Sequence, residues 1–86
     1  MPSETVTRQI RKFLVERFPQ ARHLSNDDAL LDKGVVDSLG ILEIVAFLEQ
    51  AFHMTVADEE LLPENFQSVE RLATFVQSKV NGASVH

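Results

Sequence analysis

The sequence contains no cysteine, and this absence removes several kinds of site from consideration. A disulfide framework, a thiolate nucleophile and a cysteine-ligated zinc site all require that residue. Histidine is also scarce, because only His23, His53 and His86 are present and none has a second ligand at metal-binding spacing. We therefore expect no metal site.

Motifs of common active sites are missing as well. The chain has no nucleophile and base in a triad-like arrangement, no HExxH motif and no glycine-rich phosphate loop. A chain of 86 residues builds one small core and has little material left to exclude water from a deep cleft. We expect a single domain over residues 1–86 that is not an enzyme.

Long apolar runs are also absent. No stretch approaches the roughly 20 apolar residues that cross a bilayer. Residues 1–4 lack the basic region that precedes an apolar segment in a secretory signal. These features predict a cytoplasmic protein without membrane insertion.

Charge is unevenly distributed along the chain. Residues 1–25 hold five basic and two acidic side chains, whereas residues 26–86 hold eleven acidic and three basic ones, and the total is −5. An acidic surface repels nucleic acid phosphates and favours partners with basic patches. The alternative is that these acids form only a solvated face.

Apolar residues, 44% of the chain, recur at three- and four-residue steps that indicate helices. No alternating strand pattern competes with them, so the sequence predicts an all-α, four-helix bundle with three main helices and one short one. Pro19 ends the first helix, and a long loop over residues 19–37 separates the first two helices. We expect an ordered core over about 4–80 and a flexible tail over 81–86. The predicted helices span 4–18, 37 or 38 to 52, 58–62, and 69–80 after an N-cap at Ser68.

The second helix is apolar around most of its circumference, which predicts a central helix packed on several sides. It begins at Asp37-Ser38, where a polar loop ends. Ser38 therefore lies near free backbone N–H groups and the positive end of the helix dipole, a suitable place for a phosphate ester. Asp37, the residue before it, is a candidate N-cap of this helix. An Asp-Ser pair alone is also common capping chemistry.

A wider pattern surrounds this serine and covers about residues 4–80. A first helix and a long loop precede Asp37-Ser38-Leu39, and Glu43 follows the serine by five residues. Glu49-Gln50-Ala51-Phe52 then ends the second helix, and Phe66-Gln67-Ser68-Val69 precedes the last one. With this arrangement the chain resembles an acyl carrier protein.

The resemblance implies a function for Ser38. In that family the corresponding serine receives 4′-phosphopantetheine from coenzyme A through a phosphopantetheinyl transferase, and the arm's thiol holds an acyl or aminoacyl group as a thioester. Gly40-Ile41-Leu42 and the few acids of the second helix look more like carriers that adenylating ligases load, so we favour an aminoacyl or short acyl cargo. The alternatives are a housekeeping carrier of fatty-acid synthesis and an unmodified acidic helical interaction module.

The resemblance also implies a partner-facing surface along the second helix and the start of the third. The expected partners are the transferase, a loading ligase and a downstream transferase or synthase with basic docking surfaces. A carrier that visits several enzymes is expected to be a monomer. The predicted partner contacts are Asp37, Leu39, Leu42, Glu43 and Val56. Asp37 would contact the modifying enzyme or its metal, a role that is compatible with the N-cap.

Overall fold

Three α-helices and three short 3-10 helices make up the computed structural model, which describes residues 4–31 and 34–85. The described residues contain no β-strand, so the predicted all-α fold with three main helices is confirmed. The α-helices are α1 (Glu4–Arg17), α2 (Ser38–Phe52) and α3 (Val69–Val85). The 3-10 helices span Pro19–His23, Asp58–Glu60 and Pro63–Phe66.

All three α-helices contribute fully buried side chains to one core. Each helix offers apolar residues at three- or four-residue spacing, so one stripe of each faces the others. Phe66 and four buried residues of the long loop complete the core, and Leu30 and Val36 are the most deeply buried of these four. The principal core residues are Ile10 and Leu14 of α1, Ile44 and Leu48 of α2, Leu72, Ala73 and Val76 of α3, and Leu30 and Val36 of the loop.

The loop between α1 and α2 is anchored by backbone hydrogen bonds. The Leu30 amide donates to the Gln67 carbonyl at 2.8 Å, and the Glu70 amide donates to the Asn26 carbonyl at 2.9 Å. Both bonds join the loop to the segment at the start of α3. The first residues of the loop form the 3-10 helix Pro19–His23, although the sequence pattern predicted no regular structure there. The long loop is therefore a structural part of the bundle.

Two predicted boundaries differ from the structure. The last helix continues through Val85, beyond its predicted end at residue 80; the flexibility of the tail stays a prediction, and His86 lies outside the described residues. The Asn81-Gly82 pair is compatible with helical backbone, because glycine costs only about 1 kcal/mol relative to alanine. Pro63 also does not end the helix that begins at Asp58. It lies in the first turn of the 3-10 helix Pro63–Phe66, where its missing N–H is tolerated.

Glu60 ties the short 3-10 helix to α3. One carboxylate oxygen, Oε1, accepts from the Lys79 ammonium at 2.7 Å and from the Ala57 amide at 2.9 Å. Both donors favour the ionised carboxylate, Lys79 most strongly, so they lower the pKa of Glu60 below its ordinary value. Glu60 thus contributes stability above its unfolded-state pKa, and this contribution disappears as the pH falls through its lower folded-state pKa.

Glu60→Gln should destabilise the protein more at neutral pH than in acid. We expect a loss of about 0.5–1 kcal/mol near pH 7, the usual range for a partly exposed ion pair, and a smaller loss near pH 3, because more of the carboxyl group is protonated there. Urea unfolding of both proteins at the two pH values measures the difference. Glu59→Gln is the matched control, since Glu59 is exposed and has no ion-pair partner in the described part of the chain. An equal loss at both pH values would contradict the assignment.

Candidate functional site

The start of α2 is built by the side chain of Asp37. Asp37 has extended backbone (φ −105°, ψ −172°), and its Oδ1 accepts from the Gly40 amide at 2.8 Å. The Asp37 carbonyl accepts the first helical bond, from the Ile41 amide at 3.0 Å. The side-chain contact satisfies the Gly40 amide, one of those that a helix start leaves unpaired. Asp37 is therefore the N-cap of α2, as one of its two predicted roles required.

Ser38 is the first residue of α2 and is exposed to solvent. Since Asp37 supplies the cap, the Ser38 hydroxyl is not needed to hold the helix, and no hydrogen bond engages it among the described residues. A phosphodiester on this oxygen would lie beside the positive end of α2, which favours an anion by about 0.3–1 kcal/mol at exposed sites. The site thus fits a covalently attached phosphate group.

Gly40 allows the loop and the end of α1 to pack closely against this helix start. A Cβ at position 40 would lie 2.9 Å from Val36 Cγ1 and 3.0 Å from the Phe18 ring. The sequence showed the glycine but not its neighbours, which become adjacent only in the fold. Gly40 therefore determines how closely Val36 and Phe18 approach the turn that carries Ser38.

Four predicted partner contacts lie together in the first two turns of α2. Leu39 and Leu42 are 72% and 58% exposed, although both are apolar. The Glu43 carboxylate accepts from Arg17 Nε at 2.8 Å and lies 2.6 Å from Arg17 Nη2. Asp37 completes the group. The prediction of α2 as a helix packed on several sides is wrong for this face, because full burial is confined to Gly40, Ile44 and Leu48.

Val56 lies apart from that group. Its amide donates to Glu49 Oε2 at 2.9 Å, which places Val56 beside a residue in the last turns of α2, and its side chain is half-buried against the core. The sequence offered no signal for this contact, since it joins a helix to a loop that follows it. Four of the five predicted partner contacts therefore lie together at the start of α2, and Val56 lies apart, after the other end of that helix.

Among the residues that the structure describes, no group of three or more histidine, aspartate or glutamate side chains is arranged to hold a metal ion. In the same part of the chain, no helix has both the length and the apolar character needed to cross a bilayer.

Residues 8–76 match the family model described as the phosphopantetheine attachment site. Aminoacyl carrier protein 1 of Bradyrhizobium diazoefficiens is 30% identical over 85% of this chain and 80% of its own length. The acyl carrier protein of Buchnera aphidicola subsp. Acyrthosiphon pisum is 27% identical over 88% of this chain and 94% of its own. The solved structure of apo KstB-PCP superposes with a TM-score of 0.67 at 38% identity, and the match covers 88% of this chain and 82% of that one.

The helical fold and the match to the family model define a carrier of the phosphopantetheine-attachment class. The chain belongs to the acyl carrier protein family, and its cofactor is 4′-phosphopantetheine. Members of this family carry groups for other enzymes and do not catalyse, so the chain is not an enzyme. Its partners include a phosphopantetheinyl transferase and synthetase-type enzymes.

Proposed function

We propose that Ser38 carries the 4′-phosphopantetheine arm and that the arm's thiol holds an aminoacyl or short acyl group as a thioester. The exposed hydroxyl at the capped start of α2 is the observation that supports this most strongly. Ser38 Oγ would form a bond to the phosphorus of coenzyme A that bears the pantetheine. The bond from that phosphorus to the nucleotide breaks, adenosine 3′,5′-bisphosphate leaves, and the serine proton passes to a base of the transferase.

The aminoacyl cargo is supported by two of the relatives. Aminoacyl carrier protein 1 shares 30% identity with this chain and KstB-PCP shares 38%. Gly40-Ile41-Leu42, directly after Asp37-Ser38-Leu39, points the same way. An adenylating ligase would load the group, and a downstream transferase or synthase would receive it. The chain would act as a monomer, and a cytoplasmic location stays a prediction.

A fatty-acid cargo is the second candidate. The Buchnera acyl carrier protein matches along 94% of its length, which favours a housekeeping acyl carrier as the alternative.

Intact-protein mass spectrometry of the protein from its own cells separates these functions. We expect one arm, located on the peptide that contains Ser38, and an additional group that hydroxylamine releases because it is a thioester. The mass of the released group distinguishes an aminoacyl from a long acyl cargo. A protein that never acquires an arm, even with coenzyme A and a broad-specificity transferase, would contradict the proposal.

A further inference from the structure

The last residue of α1 reaches across to α2. Arg17 Nε donates to Glu43 Oε1 at 2.8 Å, and Arg17 Nη2 lies 2.6 Å from the same oxygen. Glu43 lies in the second turn of α2, five residues after Ser38. The first carboxylate that follows Ser38 in this helix is therefore paired with a cation of its own chain.

A second contact holds Arg17 in this position. Its guanidinium carbon lies 5.4 Å from the centre of the Phe18 ring, a distance at which a cation is attracted to an aromatic face. Phe18 is half-buried against the core, beside Gly40. An exposed ion pair alone contributes little, because two flexible side chains must be held together. The ring restricts the arginine, so less freedom is lost when the arginine pairs with Glu43.

The pair has no net charge, although one of its members is an acid. Both arginine nitrogens contact the same carboxylate oxygen, so the pairing cancels the charge without covering the whole carboxylate. The side chains of Arg17 and Glu43 are 53% and 40% exposed, so an enzyme can reach both. A basic enzyme surface that approaches Glu43 meets Arg17 at the same place, and like charges repel each other. Such an enzyme must displace Arg17 before it can pair with the acid.

We propose that Arg17 is a specificity-determining residue that neutralises Glu43 and so disfavours enzymes that bind carriers through a basic surface. The inference rests on Ser38 being the modified residue. Enzymes that use this chain then bind it without an ion pair to Glu43, which limits the basic docking surfaces expected from the sequence to other contacts. The effect acts on binding and not on chemistry, because more than one helical turn separates Glu43 from Ser38.

The test is arm transfer by two transferases with coenzyme A saturating: a broad-specificity transferase with a basic carrier-binding surface, and the transferase of the same organism. With the basic transferase, Arg17→Gln should raise kcat/KM about fivefold, the factor that one ion pair at contact contributes in water. The gain should lie in KM, and at about 0.5 M NaCl it should fall below about twofold because salt screens exposed charges. With the organism's own transferase, the variant should stay within about twofold of wild type.

Two further variants separate the charge of Arg17 from its pairing with Glu43. Arg8→Gln removes the same charge from α1, but Arg8 pairs with Glu4 at 3.4 Å and lies more than two turns from Arg17, so kcat/KM should not change. In the Glu43→Gln background, Arg17→Gln should raise kcat/KM by no more than about twofold, because the carboxylate that it would release is gone. Circular dichroism confirms that each variant is folded.

The outcomes are distinct. An equal gain from Arg17→Gln in both backgrounds, or no gain with the basic transferase, would overturn the role of the ion pair. A fivefold gain with the organism's own transferase as well would show that Arg17 weakens binding in general, which would overturn its role in specificity. Both results would leave the proposed function standing, since wild type still accepts the arm. Failure of wild type to accept an arm from either transferase would overturn the proposed function itself.

Discussion

Ser38→Ala should produce a fully folded protein that accepts no arm. The substitution removes the oxygen that we propose forms the phosphodiester, so we expect complete loss of the mass increase after incubation with coenzyme A and a transferase. Stability should change by no more than about 0.5 kcal/mol, as for other exposed substitutions. The reason is that Asp37, not Ser38, caps α2, through the 2.8 Å bond to the Gly40 amide.

Ser78→Ala is the control for this experiment. Ser78 is also an exposed helical serine, but it lies within α3, away from a helix start. It should accept one arm at the wild-type rate. An arm that still attaches to Ser38→Ala would show that another hydroxyl is the site, and a large loss of stability would show that Ser38 has a structural role that its exposure does not indicate.

The helix start at Ser38 could be predicted from the sequence because capping is local. Asp37 reaches the amide only three residues later, so the chemistry is visible in a short stretch of sequence. Apolar periodicity located the three main helices for the same reason. The N-cap at Ser68 was also correct, since its Oγ accepts from the Arg71 amide at 3.2 Å.

Contacts between distant parts of the chain could not be predicted in this way. Arg17 and Glu43 are 26 positions apart, and their pairing depends on how α1 and α2 cross.

The exposure of Leu39 and Leu42 could not be predicted from the sequence for the same reason. Periodicity shows which sides of α2 are apolar, but the number of neighbours available to cover them depends on the fold. A chain of 86 residues leaves one side uncovered.

Gly40→Val should destabilise the protein by about 2–3 kcal/mol, the usual cost of overpacking a filled site. The new side chain would begin at a Cβ only 2.9 Å from Val36 Cγ1 and 3.0 Å from the Phe18 ring. Val36 is 1% exposed and has little room to move, so the loop or α2 must shift. Removing glycine from the helix returns at most about 1 kcal/mol in helix propensity. Steric overlap is therefore the larger effect.

Urea unfolding of Gly40→Val against Ala46→Val measures this effect. Both variants place valine in α2, but residue 46 is exposed, so Ala46→Val carries only the helix propensity cost of well under about 1 kcal/mol. A similar loss for both would refute close packing at Gly40. If the overlap also displaces the first turn, arm transfer to Gly40→Val should slow even at temperatures where the protein is fully folded. The steric overlap would then alter the position of Ser38, because the Asp37 side chain accepts from the Gly40 amide and Asp37 directly precedes the serine.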